Sequence, residues 1–389
     1  MDNEKIMEGN EAVETTTEAE VTNTTSVEEV TVDTTKANAK KMKKNYGGFA
    51  LAVALFGVGV TLLQLANVKF LPIVCDKLFG FDLSEVSAFS FLNIIVPMYV
   101  VGFPILALAL SKMDKVKIEK NKWHFGNYIV SVLLMFGMIG VGITIGLICH
   151  LIVISPFGIS LENSSDLADL MMNSNPFWRI LTVGILAPIV EEMIFRKLLI
   201  DRVVKYGEWT AILTSGLMFG LFHGNFQQCF FAGLIGGLFA YTYIRTGKIW
   251  TTMLLHATLN LMTSVVTVGL MTSVNAEKAA EFTALSQNPD LMNNPALQQQ
   301  LMEMIPEIGV GVFLMPLWIM TLLGLVIAGI VTWIVVLIMK KIKIQKSENY
   351  VKGGMKYAWG NIGMVIFLIY IVATFVLTYV SLILQFKMQ

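Results

Sequence analysis

Charged residues and cysteines are both scarce in this 389-residue sequence. Asp, Glu, Lys and Arg make up 14% of it, against about 25% in soluble globular domains. Because hydrophobic residues reach 55% and the mean hydropathy is +0.67, a soluble globular protein is excluded. The three cysteines fit no metal-ligand spacing, which argues against a disulfide scaffold or a cysteine-based metal centre. We expect Cys75, Cys149 and Cys229 to be buried small hydrophobic residues.

A net charge of either sign is missing as well, since 28 basic side chains balance 28 acidic ones. We expect no nucleic-acid partner.

Residues 1–35, rich in Glu, Thr and Val, predict a disordered acidic tail. A helix needs about 20 residues to cross a bilayer, and the later apolar runs predict an all-α, polytopic transmembrane bundle of about nine spans. The runs are 48–68, 88–110, 128–154, 178–200, 210–223, 229–244, 249–270, 308–339 and 362–384.

Every second connection between these runs is rich in Lys or Arg, and the others are acidic or neutral. Because basic loops stay on the cytoplasmic side, the pattern predicts a multi-pass cell-membrane protein with a cytoplasmic N-terminus. It also predicts a division into five parts. They are the tail with its basic end (1–45), scaffold helices (46–175), a core with the polar groups (176–272), an extracytoplasmic loop (273–307) and C-terminal helices (308–389).

Two adjacent carboxylates and a guanidinium interrupt the fourth apolar run. Each charge at the centre of a membrane helix costs about 2.5–3.5 kcal/mol, so such groups indicate a functional site. Glu192 and Arg196 are four residues apart, share a helix face and can form an ion pair. Glu191 points about 100° away from Glu192 and has no local partner. Pro188 removes a backbone hydrogen bond nearby and predicts a break in the helix.

Two further runs carry polar groups, and counting residues places His256 in the cytoplasmic half of the membrane and His223 nearer the outer end of its span. His223 ends the fifth run, and His256 lies four residues before Asn260 on one face of the seventh. We expect His124 and His150 to be interfacial. The small residues Gly216 and Gly220 predict close packing of the neighbouring fifth and sixth runs.

These groups suit direct attack of water on an amide. A buried carboxylate can serve as a general base, a histidine can hold the water, and a second histidine with an amide can stabilise an oxyanion. Ser215, Thr258 and Cys229 lack an evident base partner, so a covalent nucleophile is not indicated. A zinc ion held by Glu191, His223 and His256 is an alternative, although the common zinc-protease spacings are absent.

Three motifs, Glu191-Glu192-x-x-x-Arg196, Phe219-x-x-x-His223 and His256-x-x-x-Asn260, resemble those of the CPBP family. This family contains type II CAAX prenyl proteases, bacteriocin-processing proteases and Abi-domain proteins. The resemblance covers about residues 177–264. It implies a glutamate-type intramembrane endopeptidase without a metal cofactor.

The resemblance also implies a role for each site residue. Glu191 and His223 would activate the water, His256 and Asn260 would stabilise the oxyanion, and Glu192 with Arg196 would hold the site together. The implied partners are membrane lipid and a peptide or protein substrate, prenylated or otherwise membrane-associated. A non-proteolytic scaffold or bacteriocin-immunity protein with the same fold remains the alternative, and the sequence leaves the oligomeric state open.

Overall fold

The protein is an all-α helical bundle. A computed structural model describes residues 12–80, 88–157, 175–345, 347 and 349–388, with side chains between Thr35 and Ser381. Within these ranges the regular elements are all helices. The prediction of an all-α membrane bundle is therefore confirmed. Residues 1–11 of the predicted tail and the connection 158–174 lie outside the described ranges.

We number twelve helices in the described residues. Segments of π-helix interrupt α2, α3, α4 and α7. The helices are α1 Ala12–Phe79, α2 Phe89–Leu110, α3 Phe125–Ile154, α4 176–203, α5 Glu208–Phe222, α6 Phe226–Thr246, α7 Ile249–Thr272, α8 Ala276–Ser286, α9 Pro295–Met304, α10 Gly311–Ile338, α11 Gly354–Trp359 and α12 Ile362–Met388.

All nine predicted apolar runs are helical, but they differ in length and polarity. In the described part of the chain, α1, α2, α3, α7, α10 and α12 are long and apolar enough to cross a membrane. Helix α5 has only 15 residues, and α4 contains three charged residues between positions 191 and 196. A helix packed among other helices need not match the lipid thickness. The number of crossings and the cytoplasmic N-terminus stay predictions.

Helix α1 begins inside the segment predicted to be a disordered tail. It runs from Ala12 to Phe79, so residues 12–35 are helical in the structure and differ from that prediction. The sequence has no Pro or Gly between Ala12 and Tyr46, and these two residue types disfavour helices most strongly. Adding residues to an existing helix is much easier than starting one, so the apolar span can extend its helix into this segment.

Glycines allow α5 and α6 to pack in close contact, as predicted. A Cβ atom on Gly216 would lie 2.7 Å from the backbone oxygen of Gly233. A Cβ atom on Gly220 would collide with the backbone oxygen of Cys229. The α5–α6 contact is the most extensive between two helices, and α6 also packs against α3. Helices α4 to α7 consequently hold their polar groups within one bundle.

This packing predicts that Gly220→Ala destabilises the protein. The added methyl group meets backbone, which cannot rotate away, so the free energy of unfolding should fall by about 1–3 kcal/mol. Gly269→Ala in α7 is the matched control, because no atom lies within 4 Å of its added Cβ. Thermal unfolding of both variants in detergent measures the effect. Equal midpoints for the two variants would contradict the close approach.

Candidate active site

Helix α4 carries the charged stretch, and its backbone departs from α-geometry on both sides of it. The π-helical segments Ile180–Leu186 and Met193–Leu198 flank the short α-helical segment Ala187–Glu192. Pro188 lies in the first turn of this segment, so the break predicted at Pro188 coincides with the end of the first π-segment. Such π-turns are rare and occur frequently at functional sites.

Glu192 and Arg196 form the predicted ion pair. Arg196 Nε lies 2.9 Å from Glu192 Oε2, and Arg196 Nη2 donates to Glu192 Oε1 at 3.2 Å. Both side chains are completely buried. The guanidinium also lies over the ring of Phe219, 4.8 Å from its centre, and 5.7 Å from that of Phe239. A charge in such surroundings is stable only with its partner in place, so the pair fixes the geometry of the site.

Ser215 is a third member of this cluster that the sequence did not identify. Arg196 Nη1 donates to Ser215 Oγ at 3.0 Å, and that hydroxyl donates to the backbone oxygen of Phe195 at 2.8 Å. The serine is fully buried in α5. We dismissed it as a nucleophile for want of a base, and the structure gives it a different role. It links α5 to the guanidinium and thereby positions Arg196.

Ser215→Ala should leave one guanidinium nitrogen without its acceptor. A buried donor left unpaired costs about 1–3 kcal/mol, so we expect the free energy of unfolding to fall by that amount. Ser131→Ala in α3 is the control, since Ser131 is also buried but lies outside this cluster. Denaturant titrations of both purified variants measure the difference. The positioning role would be wrong if the two serine variants were equally stable.

His256 contacts both carboxylates of α4. Its Nδ1 lies 3.1 Å from Glu192 Oε1, and its Nε2 lies 3.9 Å from Glu191 Oε2. A carboxylate paired with Arg196 can only accept a hydrogen bond, so Nδ1 of His256 must carry the proton. Glu192 therefore orients the imidazole and turns Nε2 towards Glu191. This links the histidine of the third motif to Glu192, whose predicted role was to hold the site together with Arg196.

Glu191 is the available carboxylate. Its side chain is 16% exposed, whereas that of Glu192 is fully buried. The distance of 3.9 Å between Glu191 Oε2 and His256 Nε2 is longer than a hydrogen bond. Glu191 is therefore not hydrogen-bonded to His256. Tyr99 of α2 lies close enough to interact electrostatically with Glu191. Helix α2 belongs to the predicted scaffold helices, and the π-segment Val96–Gly102 around Tyr99 has no signature in the sequence that would have revealed this proximity.

His223 lies at the end of α5, and its side chain contacts its own helix. Its Nδ1 lies 2.8 Å from the backbone oxygen of Phe219. A carbonyl oxygen only accepts, so Nδ1 carries a proton, and in the neutral imidazole Nε2 keeps its lone pair. The ring of Phe219 separates the two histidines, with its centre 5.0 Å from that of His223 and 5.7 Å from that of His256. Within the described residues, no carboxylate lies in ion-pair distance of His223.

Asn260 lies one turn after His256, as predicted, and is half-buried. Its amide nitrogen donates to the backbone oxygen of Val183 at 2.9 Å. That oxygen belongs to the π-segment that precedes Pro188. The bond fastens α7 to α4 and uses one of the two amide hydrogens, which leaves the other for a ligand.

The described residues do not assemble the alternative zinc site. Zinc ligands lie about 2.0–2.2 Å from the metal, and no group of three His, Cys, Asp or Glu side chains in the described ranges could hold an ion. Glu191, His223 and His256 therefore do not fit as a ligand set in this arrangement.

The three cysteines are free, as predicted, but only half-buried. His150, predicted to be interfacial, is buried in the π-segment that ends α3.

Comparison with known proteins finds a family model and a curated relative that this chain resembles. Residues 173–262 match the family model described as "Type II CAAX prenyl endopeptidase Rce1-like". The chain is also similar to the "Putative membrane peptidase YdiL" of Bacillus subtilis (strain 168), with 31% identity over 105 residues. That alignment spans 27% of this chain and 43% of the relative. No solved structure matches. The segment 173–262, which contains the three motifs, is therefore similar to the type II CAAX prenyl endopeptidases, and the chain spans less than half the length of its Bacillus relative.

Proposed function

We propose that this chain is an intramembrane endopeptidase that hydrolyses peptide bonds with water activated by Glu191. The observation that carries the proposal is the contrast between the two neighbouring carboxylates. Glu192 is fully buried and fully engaged by Arg196 and His256, whereas Glu191 is partly exposed and has no hydrogen bond to His256. One carboxylate orients the site, and the other is free to take a proton.

In the first step, Glu191 removes a proton from a water molecule beside it, and the oxygen attacks the carbonyl carbon of the substrate. A carboxylate in a site that excludes bulk water is a suitable general base. His223 offers the lone pair of Nε2 and can hold this water from the other side. The roles of Glu191 and His223 follow the family resemblance. The contact of His223 Nδ1 with the backbone oxygen of Phe219 places a proton on Nδ1 and so turns Nε2 to the water.

The second step is collapse of the tetrahedral intermediate. Its oxyanion needs hydrogen-bond donors that are already in place. The unused amide hydrogen of Asn260 is one, and Nε2 of His256 becomes another when its ring takes up a proton from solvent, since Glu192 holds Nδ1–H. The C–N bond breaks as the proton held by Glu191 passes to the leaving nitrogen. A carboxylic acid and an amine result, and Glu191 is ionised again.

The substrates that we propose are membrane-associated or prenylated proteins or peptides. The half-buried site lies in a bundle whose outer helices expose many apolar side chains, so a substrate held in the membrane can reach it without leaving the bilayer. The family model and the printed name of the Bacillus relative support proteolysis as the reaction. We further propose that the reaction needs no metal.

Comparative membrane proteomics tests this function. Cells with the wild-type chain and cells with Glu191→Gln, at equal protein levels, should differ in the new termini of a small set of membrane-associated proteins. The variant removes the base but keeps the size and hydrogen-bonding capacity of the side chain. Indistinguishable sets of termini, together with full biological activity of the variant, would instead indicate a non-proteolytic scaffold.

A further inference from the structure

Three lysine-rich segments converge on one end of the bundle. They are residues 36–45 of α1, the connection 111–124 and the segment 340–356, which includes the start of α11; together we call them the basic face. Each segment hydrogen-bonds to the last turn of α4 or to the residues that directly follow it. The bonds run from Asn45 Nδ2 to the oxygen of Arg202 (3.3 Å), from Val116 N to that of Asp201 (2.7 Å), from Asn349 N to that of Lys205 (3.2 Å) and from Val351 N to that of Tyr206 (3.0 Å).

The basic face carries a large excess of exposed positive charge. Each of its three segments contributes five exposed lysines. Within its described residues, the exposed carboxylates are those of Asp114 and Glu119. The lysines are Lys36, Lys40, Lys41, Lys43, Lys44, Lys112, Lys115, Lys117, Lys120, Lys122, Lys340, Lys341, Lys343, Lys352 and Lys356.

Apolar and aromatic side chains accompany these lysines. In the segment that follows α10, Ile342 and Ile344 alternate with lysines and are 44% and 41% exposed. Trp250, at the start of α7, is exposed and stacks edge-on against Trp123 of the basic face. Tryptophan is enriched where headgroups meet hydrocarbon. A soluble acidic partner would leave the isoleucines in water, whereas a membrane surface receives both kinds of side chain.

We propose that the basic face binds the anionic phospholipid headgroups of the leaflet that it touches. Each lysine near such a surface strengthens binding about fivefold at moderate salt, and its ammonium group can donate up to three hydrogen bonds to phosphate. The segment 340–356 lies outside the family match at 173–262. This lipid interface is independent of the proposed peptidase activity.

Titration of the purified full-length protein with phosphatidylglycerol tests the interface, with native mass spectrometry as the readout and phosphatidylcholine as the neutral probe. The wild type should prefer phosphatidylglycerol, and added salt should reduce that preference. Lys340→Gln/Lys341→Gln/Lys343→Gln should weaken phosphatidylglycerol binding by about 10- to 100-fold. A second variant, Lys112→Gln/Lys115→Gln/Lys117→Gln, should weaken phosphatidylglycerol binding to a similar extent. It tests the same face if the first variant fails to fold.

The control variant is Lys69→Gln/Lys77→Gln/Lys278→Gln, which removes the same charge from positions outside the basic face. It should bind phosphatidylglycerol as the wild type does. The proposal is overturned if the wild type binds both lipids equally, or if the control weakens binding as much as the basic-face variants do. Tighter binding of polyglutamate than of phosphatidylglycerol would also overturn it and would point to an acidic polypeptide.

Discussion

Glu191→Gln should lower kcat for peptide hydrolysis by at least about 100-fold, because a general base contributes about 10²–10⁴ to the rate. The amide cannot take the proton of the attacking water. Glu191 has no ion pair shorter than 3.9 Å in the described residues, so its loss leaves the Glu192–Arg196 pair intact. We therefore expect unchanged helical content and an unchanged midpoint of thermal unfolding. Steady-state kinetics of the purified protein in detergent measure the rate.

A matched carboxylate outside the site controls for the loss of charge. Glu119 lies exposed in the connection between α2 and α3, and Glu119→Gln should leave kcat unchanged. A wild-type rate in the Glu191 variant would refute its role as the base. A loss of folding in that variant would instead mean that Glu191 holds the structure together.

Arg196→Met should produce the largest loss of stability of any change discussed for this chain. It leaves the carboxylate of Glu192 buried without its cation, and breaking one side of a buried ion pair costs about 3–5 kcal/mol. Methionine keeps much of the volume beside Phe219 and Phe239, so the effect reports charge more than packing. Denaturant titration of the purified protein measures the free energy of unfolding.

The double variant Glu192→Gln/Arg196→Met separates the two contributions. With both charges removed, most of the lost stability should return, because no uncompensated charge remains. Activity should stay low, since the carboxylate that orients His256 through Nδ1 is gone. Equal stability of the single and double variants would show that the buried pair contributes little.

Local spacing was sufficient to predict part of the site. The pair Glu192–Arg196 lies within one helix turn, so its geometry follows from helix periodicity alone. Asn260 also lies one turn after His256, as predicted. The close packing of α5 and α6 followed from Gly216 and Gly220, because only a missing Cβ permits that approach.

Contacts between helices could not be predicted from the sequence in the same way. The bond from His256 to Glu192 joins residues 64 positions apart, and nothing in either helix specifies its partner. Ser215 reaches Arg196 across a helix interface. Counting residues placed His223 near the outer end of its span, but α5 is short and ends at Phe222, so Phe219 contacts both histidine rings. The composition of residues 12–35 favoured disorder, whereas in the structure their backbone continues the helix of the first span.

The most direct test of the central claim is the cleavage of a substrate found by proteomics with metal-stripped, purified protein. Mass spectrometry would follow the paired new carboxyl and amino termini over time, for the wild type and Glu191→Gln side by side. We expect the metal-free wild type to cleave one peptide bond and the variant to cleave none. Cleavage at the wild-type rate by Glu191→Gln, or wild-type cleavage only after zinc is restored, would contradict it.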